Sequence, residues 1–178
     1  MRFTMKLKNW ILSSLFAALI AVCSQISIPF SAIPINLGLL AVYISGSVLG
    51  WLYGGVSVLI YIALGAVGLP VFAGFKGGIG VLAGPTGGYI LGYLFGAALC
   101  GALIQLRKDK FWLYPFAMVA ACVVCYSFGT LWYMVSTHTG LFASLAMCVL
   151  PYLPADVLKI AAASIVSYQL NRKIKKLI

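Results

Sequence analysis

The chain is 178 residues long, the length of one domain. Its residues are 63% hydrophobic and only 8% charged, against roughly 25% charged in an ordinary soluble domain, and its mean hydropathy is +1.10. No water-soluble fold of this size has interior enough for so much apolar side chain, so soluble globular, disordered, collagen-like and disulfide-scaffold classes are excluded, and a single all-α integral membrane domain over residues 1–178 is expected.

A helix needs about 20 apolar residues to cross the hydrocarbon core. Six apolar blocks qualify as spans, at 10–29, 36–54, 56–70, 83–105, 112–137 and 153–171, the third of them short. The first block could be misread as a cleaved leader. It is long enough to span, and Val22 stands where a lipoprotein site wants a small residue before Cys23, so retention is expected. The same block carries Ser13, Ala17 and Ala21 four apart, beside Ser14 and Ala18. Such a small-residue face serves either packing inside the bundle or docking of a separate membrane partner. Gly46, Gly50 and Gly54 form a strip on the second block, and Gly84, Gly88, Gly92 and Gly96 form one on the fourth. Both predict close helix packing within the bundle. Cys122 and Cys125 make a CxxC inside an apolar run with no flanking His or acid, which reads as packing rather than metal or redox chemistry. His138, between Thr137 and Thr139, reads as a surface residue.

A net charge of +10 on a soluble protein would suggest nucleic acid. Here the basic residues sit in three short groups between apolar blocks: Arg2, Lys6 and Lys8; Arg107, Lys108 and Lys110; and Arg172, Lys173, Lys175 and Lys176. That is the pattern of cytoplasmic flanks, and no nucleic-acid partner is expected. Six crossings with both termini inside put all three groups on the cytoplasmic face; five or seven would strand one outside. Trp10, Trp51, Tyr53, Trp112 and Tyr114 then fall at inner interfaces, where amphipathic rings settle.

The outer face then holds Pro29 to Pro34, the 70–83 connection, the region around His138 and the start of the last helix. The connection reads PVFAGFKGGIGVLA, glycine-rich yet apolar, which suits a cap folded over the bundle rather than a solvated loop. Asp156 and Lys159 open the last helix three residues apart, on one face. They form either an ion pair that snorkels to the surface or, with Lys76, a polar site for a small anionic ligand. In the second case a lysine meets a carboxylate and Asp156 accepts from N–H groups. Lys76 is otherwise a solvated loop lysine, and Asn36 either caps a helix start or faces the ligand. The chain has no phosphate-binding loop, no HExxH and no paired carboxylates, so neither an enzyme, a metal site nor a cofactor is expected. Charges near the midplane, expected of a self-sufficient secondary transporter, are also missing.

The run GLPVFAGFKGGIGVLAGPTGGYILGY, Gly68 to Tyr93, resembles the signature of the BioY family, and YLPADVLKIAAA, Tyr152 to Ala163, resembles its second signature. The resemblance covers the chain from about Ala17 to Ala163. It implies the biotin-specific substrate-binding (S) component of an energy-coupling factor (ECF) transporter in a prokaryotic plasma membrane. Such a component captures biotin outside and delivers it inward by reorienting in the bilayer. Its implied partners are a transmembrane scaffold (T) component and two ATPase subunits, which alone use ATP. Asp156 and Lys159 match the ligand-contacting pair, and Lys76 falls where the family often has a basic cap residue. Asn36, Gly77, Gly78 and Tyr89 complete the expected ligand set, with Phe72 or Phe75 as further aromatic contacts; Ala17 and Ala21 are the expected scaffold-docking residues. The segment Pro34-Ile35-Asn36-Leu37-Gly38 departs from the family's P-I-T-x-Q pattern. An S component for another vitamin or precursor, a partner-free transporter and a purely structural membrane protein remain as alternatives.

Overall fold

The structure, a computed structural model, describes residues 2–29 and 33–177, with side chains at 7–29 and 33–174. The middle of the Pro29–Pro34 segment and the side chains of Arg2, Lys6, Lys175 and Lys176 therefore lie outside the described residues. Helix α1 (Arg2–Gln25) leads through a two-residue antiparallel pair, β1 (Ser27–Ile28) with β2 (Ile35–Asn36), into α2 (Gly38–Ala66). Then come a short α3 (Ile79–Ala83), α4 (Gly87–Leu106), α5 (Leu113–Thr137), a short α6 (Leu141–Cys148), a 3-10 turn at Leu150–Tyr152 and α7 (Leu153–Leu177). Among the described residues five stretches are long and apolar enough to cross a membrane: Leu7–Gln25, Gly38–Ala66, Gly87–Leu106, Leu113–Thr137 and Leu141–Ile174. The protein is a multi-pass, all-α membrane protein.

The expected second and third spans, 36–54 and 56–70, form one continuous element, α2, and it is folded back on itself. Gly50 has φ 83° and ψ −179°, a backbone region open essentially to glycine alone. The Ser45 and Ser57 hydroxyls lie 2.5 Å apart across the fold, whereas twelve residues of straight helix would separate them by about 18 Å. The sequence spacing of Gly46, Gly50 and Gly54 suggested a strip on one helix face. Instead Gly50 is the turn, and Gly46 and Gly54 meet across it: a Cβ on Gly54 would lie 2.7 Å from the Gly46 Cα. The reversal therefore falls at Gly50, some residues before the expected boundary.

This doubled helix is the hub, packing against α1, α4 and α7, while α4 packs on α5 and α5 on α7. Gly101 of α4 approaches the Gly50 turn so closely that its Cβ would lie 2.5 Å from backbone atoms of Gly50 and Trp51. Gly88, Gly92 and Gly96 line the face of α4 against Trp132, Cys125 and Ala121 of α5. Close backbone approach of this kind carries helix association where lipid tails are as apolar as the side chains. At the end remote from the cap, Asn171 of α7 donates to the Ser47 carbonyl and the Tyr114 hydroxyl, each at 3.0 Å, and Tyr114 donates to the Lys108 carbonyl at 2.9 Å. Lys8, Arg172 and Lys173 sit at this end of their helices, and Arg107, Lys108 and Lys110 in the connection between α4 and α5 at the same end. His138 is exposed, in a left-handed conformation that terminates α5.

The expected docking residues are not presented outward. Ala17 is fully buried against the bundle and Ala21 half-buried; the small residues that α1 turns outward are Ser14 and Ala18. Four-residue spacing identifies a face but not which neighbour that face meets, and here the hub takes the Ser13–Ala17 side. Ser13 lies within 3.1 Å of the Tyr53 carbonyl of α2.

Candidate ligand-binding site

A partly open cavity lies at the end of the bundle where α1 finishes and α7 begins. Its walls include Asn36 and Leu39 at the start of α2, Tyr61 near its end, Phe72, Ala73 and Lys76 from the 67–78 connection, Val81 of α3, Tyr89 and Tyr93 of α4, Tyr126 of α5, Cys148 of α6, and Tyr152 with Asp156 and Lys159 around the start of α7. The lining is apolar and aromatic with a few polar groups, the composition of a small-molecule site.

The polar end belongs to α7. Asp156 falls in its first turn, and helical spacing places Lys159 beside it, turned inward. Lys159 Nζ lies 2.7 Å from Asp156 Oδ1, and both side chains are more than nine-tenths buried. Of the two sequence readings of this pair, the ion pair forms, but it is enclosed at the cavity rather than snorkelled to the surface. The Tyr126 hydroxyl donates to Asp156 Oδ2. Each carboxylate oxygen is thus occupied once and keeps a further acceptor direction, while the ammonium keeps further donors. A buried charge pair of this kind needs such satisfaction to be tolerated.

Asn36 lies just before α2 and lines the cavity. Its Oδ1 accepts the Gly38 N–H at 2.8 Å, at the start of α2, and the Tyr93 hydroxyl at 3.3 Å. Its side-chain N–H groups make no hydrogen bond among the described residues, and the residue lines the cavity. Tyr89 lines it too, with its hydroxyl 3.3 Å from Thr130 Oγ1. Lys76 reaches the lining but is exposed, so it stands at the mouth.

Gly77 and Gly78 do not line the cavity. Gly77 is pressed against the Leu69 carbonyl, where a Cβ would come within 2.3 Å, and Gly78, at φ 95°, donates its N–H to the Gly65 carbonyl at 2.7 Å. They shape the cap; they do not face a ligand. Of the two candidate phenylalanines, Phe72 is buried in the lining and Phe75 points away, 72% exposed. Sequence reasoning missed Tyr61, Tyr93, Tyr126 and Tyr152. Tyr93 carried a signal, four residues after Tyr89 on the same helix face; the others come from elements whose orientation no local pattern reveals. The Tyr152 hydroxyl donates to the Ile33 carbonyl, holding the 3-10 turn before α7 against the α1–α2 connection. Among the described residues no group of three or more potential metal ligands occurs.

The fold and the site define a helical membrane protein with a partly open, aromatic, charge-ended cavity. The family model described as the BioY family matches residues 1–176. The chain is 36% identical to a biotin transporter BioY of Thermotoga maritima over 166 residues, 93% of this chain and 97% of that one. It is 37% identical to a probable biotin transporter BioY of Pyrococcus horikoshii over 167 residues, 94% of this chain and 98% of that one. A crystal structure of the S-component for biotin from an ECF-type ABC transporter superposes with a TM-score of 0.86 at 27% identity, over 95% of this chain and 93% of that one. FolT bound with folic acid superposes at 0.63 and 16% identity over 91% of this chain, a likeness of fold alone. The chain belongs to the BioY family, and like those relatives it is a transport protein rather than an enzyme.

Proposed function

We propose that this chain is the biotin-binding S component of an ECF-type vitamin uptake transporter, working as a single membrane domain. The observation that carries the reading is the buried Asp156–Lys159 pair at the end of an aromatic cavity, in a chain that matches relatives named as biotin transporters over nearly its full length. A salt bridge 2.7 Å long sets an acceptor and a donor side by side. The ureido group of biotin sets an N–H and a carbonyl side by side. Asp156 accepts the ureido N–H and Lys159 donates to the ureido oxygen. The thioether ring lies among the tyrosines and Phe72, and the valerate carboxylate reaches toward Lys76 at the mouth. Asn36 supplies further N–H donors. The pair is neutral in sum, so Lys76 gives the site the single positive charge that suits a monoanion.

The folded-back α2 supports six crossings: each limb of the hairpin crosses and returns. With six crossings the basic ends of α1, α4 and α7 lie inside, with both termini, and the cavity opens outside, in the plasma membrane of a prokaryote. Delivery inward then falls to partners. A T component docks on the outward small-residue face of α1 at Ser14 and Ala18, and two ATPase subunits hydrolyse ATP, which this chain does not bind; it holds no cofactor of its own. Equilibrium binding of labelled biotin to the purified protein in detergent tests the reading. Displacement by cold biotin, and not by riboflavin or thiamine, is the expected outcome. A folded sample that binds no biotin overturns it and directs attention to Asn36 and Gly38, where the chain departs from its family.

A further inference from the structure

The cap over the cavity is a tight turn under tension. Phe72 and Lys76 pair in antiparallel fashion, each N–H bonded to the other's carbonyl at 2.9 and 3.2 Å. Between them Gly74 and Phe75 both take positive φ, 74° and 56°. Glycine adopts this region freely, but a phenylalanine does so at a cost. One side chain from outside the turn holds it in that shape. Gln25, the last residue of α1, accepts the Phe75 N–H on its Oε1 at 2.9 Å and directs its Nε2 at the Phe72 and Pro70 carbonyls, at 3.1 and 3.2 Å. The neighbouring Ser24 accepts from the Tyr61 hydroxyl at 3.1 Å, and the Tyr61 ring meets Phe72 edge-on at 5.4 Å. Phe72, with Ala73 and Lys76, is the cap's contribution to the cavity wall.

We propose that Gln25 is the latch of this cap: a positioning residue that holds the 70–76 segment closed over the cavity without lining it, and so sets how fast ligand enters and leaves. The proposal rests on the ligand reading above for its kinetic form, but the latch itself is a property of the empty protein. Because Gln25 does not line the cavity, it favours closure of the empty and filled states alike. Releasing it raises the rates of association and dissociation together and leaves their ratio nearly fixed. A residue that touches ligand, or one that merely supports the fold, does not give that pattern.

The test uses the full-length protein in detergent, as wild type, Gln25→Ala and Gln25→Glu. Gln25→Glu keeps the acceptor for Phe75 and removes both donations, placing a carboxylate against the Pro70 and Phe72 carbonyls. Stopped-flow binding of a fluorescent biotin conjugate should show both rate constants raised about tenfold or more, with Kd moved less than threefold. Unchanged rates, or faster dissociation alone, overturn the latch. Hydrogen–deuterium exchange of the 71–76 amides in ligand-free protein is the second measurement. Exchange should quicken about tenfold in both variants while α4 and α5 stay protected; unchanged exchange overturns the latch even if the wild type binds no biotin. Failure of the wild type to bind, with quickened exchange in the variants, refutes the ligand assignment and leaves the latch standing.

Discussion

Removal of the Lys159 ammonium separates two things that the buried pair does. The Lys159→Met variant keeps the length and apolar bulk of the side chain and deletes its charge. Asp156, 4% exposed, then retains only the Tyr126 hydroxyl as a partner. Breaking a buried pair from one side costs roughly 3–5 kcal/mol, because the remaining charge is stranded. Binding suffers separately. A hydrogen bond to a charged group contributes about 1.5–3 kcal/mol, so losing the donation from Lys159 to ligand weakens affinity by roughly ten- to a hundredfold. The double variant Asp156→Asn/Lys159→Met distinguishes the two. Removing both charges leaves nothing stranded, and such replacements are often neutral or stabilising. The double variant should therefore regain most of the thermal stability that Lys159→Met loses, while its affinity for biotin stays at least tenfold below wild type. Melting in detergent and equilibrium binding are measured on the same samples. A double variant that binds as wild type does would show the pair to be structural only, and would remove Asp156 and Lys159 from the ligand site.

Four further outcomes follow from particular positions. Lys76→Gln should abolish the preference for biotin over its uncharged carboxamide, while Lys159→Met lowers affinity for both alike; a preserved preference in Lys76→Gln would show that Lys76 does not meet the carboxylate. Gly65→Ala places a Cβ 2.0 Å from the Phe72 ring, which must leave its seat, so ligand dissociation should accelerate tenfold or more; unchanged dissociation would show that Phe72 does not seal the cavity. Gly50→Ala meets both a backbone region that costs about 1–3 kcal/mol for other residues and the side chain of Gln105, whose Nε2 would be 2.0 Å away. A lowered melting temperature is expected, and an unchanged one refutes the hairpin geometry. Ala18→Trp, on the outward face of α1, should spare biotin binding and abolish uptake in cells holding the T component and ATPases, whereas Ala17→Trp, with no room around it, should lower stability and binding together. Uptake that survives Ala18→Trp would remove this face from docking.

The parts of the molecule legible in the sequence are those that depend on chemistry rather than on direction. A composition of 63% hydrophobic residues specifies a membrane solvent whatever the packing. An acid and a lysine three apart at a helix start, with no other charge near, must meet each other or something else, and the 2.7 Å pair answers that. Direction was harder to read. Gly46, Gly50 and Gly54 fit a four-residue strip, and only the conformation of Gly50, invisible in a period, turns the strip into two facing walls. Ala17 and Ser14 belong to equally small faces of one helix, and the choice between them lies in the shape of α2, not in α1. The eight residues of α6 are too few to signal a span.

Gln25 shows why a candidate site can be legible when the turn over it is not. Asp156 and Lys159 announce themselves because a charge in an apolar segment is costly and demands an explanation. A glutamine at the end of a membrane helix demands none, since it is polar at an interface where polar residues are common. Its contacts outside α1 are with three backbone groups 45, 47 and 50 residues away, in a turn whose positive φ values no sequence period encodes. Pro70, Phe72 and Phe75 offer those groups through the main chain, so even their side chains carry no trace of the contact. The cavity is lined by side chains brought together from separate parts of the chain, whereas the turn over it is backbone that one side chain from α1 holds in place.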